Sequence, residues 1–312
     1  MPTRLRSALS AVLITLSCLL LPFGALAAWA AYGLTDTSRY VTTMAPLASD
    51  PDVREAVADT VGDDILREVD RHLVDVRPLR GSVRSFVHDA VRSFTQTQAF
   101  RLAWNAGNRV THDAVLQALR DDRKEAAEEP VTVDFAPVTA QVKRQLAEDH
   151  IPLAARIPVE HTAVAVLPAD DLASLRKGFH VLEVAGFWLP VAAAAFALAG
   201  ITLAVRRRRA VTATALGAAL GGALLGLAVA AGRSLTLADL PADVPHPAAG
   251  AVYDALTGPL RTVSWLLLGL GLTVALTVWL TRRLRLGRPA RRRRGSPGPA
   301  PAPAQAPTRA RV

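Results

Sequence analysis

The chain has 312 residues, is 51% hydrophobic and carries a formal net charge of +9. A basic soluble protein would first suggest nucleic acid, but here the positive charge sits in blocks separated by long uncharged apolar runs, so nucleic acid is excluded as a partner. A single cysteine, Cys18, excludes an intramolecular disulfide. It lies within the first apolar run and reads as a small buried residue.

Four stretches reach the roughly 20 apolar residues that cross a bilayer. After a short N-terminus (1–6), the first span covers 7–32. "ALA" at 25–27 resembles a signal-peptide cleavage site. The run is longer than the about 7–15 residues of a signal core, so an uncleaved anchor is the reading preferred.

Residues 33–180 are enough for one compact domain. "SDPDVREAVADTVGDDILREVDRHL" opens on a cap at Ser49 or Asp50 with Pro51 in the first turn. Val53, Val57, Val61, Ile65 and Val69 then make one apolar helix face. Val83, Phe86, Val87, Ala90, Val91 and Phe94 predict a second helix, and residues 100–119 a third with a possible break at Gly107. "DDRKEAAEEP" at 121–130 reads as a solvated link. "VTVDF" at 131–135 and "HTAVAVL" at 161–167 predict short strands around a helix that starts at Pro137. Asp170 or Asp171 caps a long helix that runs into the second span. The fold class expected is mainly α: a four-helix transmembrane bundle plus a mostly helical α+β domain with a small sheet.

The second span covers 184–205 and the third 210–231, joined by the turn Arg206, Arg207, Arg208 and Arg209. The third span carries two glycine pairs, "GAALG" at 217–221 and "GALLG" at 222–226, which allow close helix approach within the bundle or in a dimer. A loop at 232–261 includes a short surface helix at 246–260. The fourth span is 262–280. The tail 281–312 is basic and rich in Pro and Ala, and it reads as disordered.

Arginine sets the orientation. Residues 1–6, 206–209 and 281–312 hold 16 basic and no acidic residues, whereas 33–180 hold 18 basic and 23 acidic. Cytoplasmic loops accumulate Lys and Arg, so both termini are expected in the cytoplasm and 33–180 outside it, in the plasma membrane of a cell envelope. Arg206 to Arg209, with Arg282, Arg283, Arg291, Arg292, Arg293 and Arg294, then lie against anionic lipid headgroups. Trp29, Tyr32, Trp188 and Trp265 are expected near the outer interface and Trp279 near the inner one.

"MAPLASDPDVREAV" at 44–57, "SFTQTQAFRLAWNAGNRVTHDAVLQAL" at 93–119 and "VTVDFAPV" at 131–138 are similar to segments of a group of actinobacterial four-span integral membrane proteins with a helical outer domain after the first span. The resemblance covers most of residues 1–280 and implies no activity and no functional residue. The one-plus-three span order also resembles, in topology only, the FtsX/MacB class of transporter-associated proteins, which implies a separate ATPase.

No phosphate-binding loop fits the three lysines, and no HExxH, CxxC or GxSxG motif occurs. The spans hold no ionisable relay. No cofactor or metal is expected, although a site shared by His88 and His112 is conceivable. Trp104, Asn105, Asn108, Arg109 and His112 form the best site-like pattern, because Asn105, Arg109 and His112 share one helix face. They read either as a binding site for an anionic ligand or as a half-buried polar network joining helices. The functional expectation is a non-enzymatic envelope protein whose outer domain senses or binds, with a membrane or envelope protein as partner. The alternative is a membrane component of an export system.

Overall fold

A computed structural model of the chain describes residues 3–72, 80–121, 131–148, 163–167 and 169–286. The elements are α1 (Thr3–Gly33), α2 (Thr37–Met44), α3 (Pro51–His72), α4 (Arg80–Thr95), α5 (Gln98–Arg120), β1 (Val131–Asp134), α6 (Ala136–Glu148), β2 (Ala163–Leu167), α7 (Ala169–Leu203), α8 (Arg207–Ala238) and α9 (His246–Leu286). The protein is mainly helical. Helices α1, α7, α8 and α9 are each long and apolar enough to cross a membrane, as in a multi-pass membrane protein.

Small residues decide how these four pack. In α1, Ser10, Ser17, Gly24 and Ala31 recur every seven positions and are all buried. In α7, Gly186, Ala193 and Gly200 have the same spacing and run antiparallel to them. A seven-residue repeat keeps one seam turned to its partner along the helix. Without a solvent-driven hydrophobic effect in lipid, close backbone approach and interhelical hydrogen bonds hold such a seam. The Ser10 hydroxyl donates to the Gly200 carbonyl at 2.7 Å and Ser17 to Ala193 at 2.8 Å. A Cβ on Gly186 would stand 2.3 Å from that of Ala31, so no larger residue fits there.

Helices α8 and α9 repeat the device. Ala215, Gly222 and Val229 face Gly250, Thr257, Ser264 and Gly271, again at sevens, and Ser264 donates to the Gly222 carbonyl at 2.6 Å. The two glycine pairs of α8 divide between neighbours. Gly217 and Gly221 face Cys18 and Pro22 of α1, while Gly222 and Gly226 face Ser264 of α9. Both pairs are therefore occupied within the chain. The helices form a row, α7–α1–α8–α9.

Beyond the ends of α1 and α7 stands a helical head of α2 to α6. Asp36 caps α2 by accepting from the Arg39 amide at 3.0 Å, Asp50 caps α3, and Thr97 caps α5. Strands β1 and β2 pair antiparallel, Thr132 opposite Ala165 and Asp134 opposite Ala163. A cluster of Met44, Leu47, Val53 and Ala248, flanked by Tyr40, Trp104 and Leu256, packs the head on α9.

Three expectations change. Helix α5 is unbroken through Gly107, where an added Cβ would meet only the Phe135 ring, at 4.0 Å. The apolar face of α3 is buried at Val53, but Val61 and Ile65 are each 40% exposed. The helix at 246–260 is continuous with the fourth span, because its apolar face is covered by α2 and the turn at Ala45–Ser49 rather than by a bilayer surface. Trp265 accordingly lies nine residues beyond Leu256, the residue level with Trp29, and is not in the same tier as Trp29. Of the solvated link at 121–130 all but Asp121, and the tail from 287, lie outside the described residues.

Candidate functional site

The polar face of α5 meets the exit of α1. Trp104 donates its indole N–H to the Met44 carbonyl at 2.9 Å. Asn108 donates to the Trp104 carbonyl at 2.8 Å, and its Oδ1 is 3.5 Å from the Tyr40 hydroxyl. The Tyr40 ring stacks on His112 with centroids 4.1 Å apart. His112 Nε2 lies 3.0 Å from the Leu34 carbonyl at the end of α1, and Nδ1 lies 3.1 Å from the Thr37 hydroxyl, which itself donates to Asp113.

A carbonyl only accepts, so Nε2 carries a proton. The Thr37 hydroxyl has one proton and two claimants, Asp113 and the second ring nitrogen of a neutral His112. A doubly protonated His112 would satisfy every partner, but burial, the largest influence, holds its pKa below the usual value. The Leu34 hydrogen bond and Asp113 oppose that shift, and Arg120 reinforces it. Burial also raises the Tyr40 phenol. Burial thus favours the neutral imidazole, and the joint is completed by Arg120 donating to the Thr35 carbonyl at 3.2 Å and Arg176 of α7 donating to the Ala118 carbonyl at 2.8 Å.

Of the five residues the sequence singles out, Trp104, Asn108 and His112 converge on this joint. Arg109 is exposed and makes none of its contacts, and Asn105 has a buried Oδ1 without a hydrogen-bond partner among the described residues. Tyr40 and Thr37 were missed. They sit some 70 residues earlier, and nothing in the local pattern marks them. His88 does not share a site with His112: it projects from α4 against α3, 3.6 Å from Asp59 and 3.5 Å from Asp63, over Gly62.

At the opposite end of the bundle, Arg206, Arg207, Arg208 and Arg209 line a hollow of about 660 Å³ with Val278 and Trp279. An adjoining one of about 560 Å³ brings Arg4 beside Arg206 and Arg209. The Arg283 guanidinium lies 4.6 Å over Trp279. The Arg282 side chain and Arg291 to Arg294 lie outside the described residues. A third hollow, about 550 Å³ and mostly apolar, opens between α7 and α9 above α1. The only sequence signal for it is Pro190 and Pro259, one in each wall.

No family model, curated protein or solved structure matches this chain.

Proposed function

We propose that the chain is a non-enzymatic protein of the cell envelope, with both termini in the cytoplasm. Its head stands outside the plasma membrane and binds a membrane or envelope protein, and its bundle receives that contact. The observation that carries this reading is the joint itself: His112, Arg120 and Arg176 tie α5 to α1 and α7 through backbone carbonyls, while Met44 and Leu47 pack on α9. Movement of the head is thereby linked to three of the four long helices. The orientation is supported by the gathering of Arg4, Arg206 to Arg209 and Arg283 at the end remote from the head. His112 and Trp104 are engaged in holding helices together, which supports coupling rather than catalysis. The likeness to actinobacterial four-span proteins fits the same reading.

The test is brief crosslinking of the tagged full-length protein in its native membrane, followed by mass spectrometry. A reproducible envelope partner that is lost on Arg109→Glu or Phe86→Asp, both at exposed head positions, supports the proposal. An intrinsic hydrolase activity abolished by His112→Ala overturns it. Orientation is read separately in a Cys18→Ala background. Cysteine at position 208 should react with an impermeant thiol reagent only after the membrane is opened, and cysteine at position 109 before.

A further inference from the structure

The hollow between α7 and α9 has the dimensions of a ligand site, about 550 Å³. Its floor is α1 at Ala25 and Ala28, and its walls are Ala194 and Ala197 of α7 and Val263 and Leu267 of α9. It exists because α7 and α9 occupy the two ends of the helix row, each seamed to a different neighbour, and small side chains leave the space between them unfilled. It runs along α1 from Leu34 at the mouth to Ser17, and down the α9 wall from Leu256 to Leu267. That wall is about 17 Å long at 1.5 Å per residue, close to half of the roughly 30 Å hydrocarbon core. A partner transmembrane helix would need the full height of the bundle. An acyl chain needs one leaflet.

The mouth is not apolar. Arg39 of α2 reaches the rim, is exposed, and has no carboxylate partner among the described residues. The two acidic side chains of this corner are engaged otherwise, Asp36 by the Arg39 amide and Asp113 by Thr37. A planar guanidinium at the top of a one-leaflet groove matches a phosphate by charge and by hydrogen-bonding geometry.

We propose that this groove holds one acyl chain of an anionic phospholipid, with its phosphate on Arg39. The site belongs to whichever leaflet adjoins the head, so it does not rest on the orientation proposed above. It would place a lipid against α2, within reach of the Tyr40–His112 joint.

The test uses the full-length protein in phosphatidylcholine vesicles doped with phosphatidylglycerol that carries a mid-chain photoreactive diazirine. After irradiation and digestion, label should concentrate on Ala194, Ala197 and Val263 at least fivefold over Leu220 and Leu224, which are exposed residues of α8. Unlabelled phosphatidylglycerol should compete at least fivefold better than phosphatidylcholine. Arg39→Gln should remove that preference while leaving label in the groove, and Ala194→Trp should lower groove label at least fivefold. Label spread evenly around the bundle, equal competition by both lipids, or groove residues crosslinked to a second copy of the chain would each overturn the proposal. The competition uses the unaltered protein, so it reads out even where the Trp variant fails to fold.

Discussion

The pairs α1/α7 and α8/α9 use one seven-residue grammar at very different chain separations. Ser17 finds Ala193 across 176 residues, whereas Ser264 finds Gly222 across 42. The distant pair has the smaller side chains: serine, glycine and alanine throughout. The hairpin admits Val229 and Thr257 and adds a polar clasp at its head end. There, Asp254 accepts from Arg233 at 3.0 Å and also from Arg261. Helix α9 extends beyond the level of Trp29 to carry the head, and its first turns need a lateral anchor that α7 obtains from α5 instead. Equal spacing therefore does not mean equal dependence on close approach.

The largest effect should come from the tightest of the seam positions. Gly186→Leu is expected to destabilise by about 3 kcal/mol, the upper range for overpacking. Gly269→Ala, at a position with nothing within 4 Å, should stabilise by about 0.5–1 kcal/mol through helix propensity alone. Thermal unfolding in detergent compares the two, and equal effects would break the seam assignment.

Next is the clasp, present only in the hairpin. Asp254→Asn should cost about 1 kcal/mol, because these side chains are 37–41% exposed and solvent screens the pair. The loss should shrink at high salt in the same unfolding assay.

Ser17→Ala and Ser264→Ala should each cost about 0.6 kcal/mol, the usual worth of an interhelical hydrogen bond in a membrane. Their double mutant should be additive if the two seams are independent. A shortfall or excess in that additivity would show that α8 transmits strain from one seam to the other.

The smallest effect tests the head joint against both seams. His112 has a lowered pKa, so the folded state holds fewer protons than the unfolded chain. Its contribution is complete above the ordinary value of 6.5 and is lost as pH falls through the folded value. Amide protection at residues 34–44, taken relative to the intrinsic exchange rate at each pH, should fall between pH 7.5 and 5, and His112→Gln should flatten that fall. The seams, which lack titratable side chains on their seven-residue positions, should not respond.

Much of the bundle was legible. The four spans, the arginine turn and the capped start of α3 follow from local composition, because burying a charge in lipid costs several kcal/mol and chain order alone exposes it. The polar pattern on α5 was visible too, but its partners Tyr40, Thr37 and Leu34 lie far away along the chain. The pattern therefore left two readings open, ligand site or helix joint.

In an alanine-rich chain, small residues are everywhere, and the seven-residue seams are not distinguishable from their neighbours until a partner backbone arrives. "GAALG" and "GALLG" look alike, yet one pair meets α1 and the other α9, since four residues advance a helix by slightly more than one turn and five shift it to another face. By itself the sequence determined which segments are apolar enough to span and where the charge cannot go, both properties of single stretches. Which helices touch, and the half-depth groove left between α7 and α9, depend on contacts between residues far apart in the chain. Only the tertiary structure decided those.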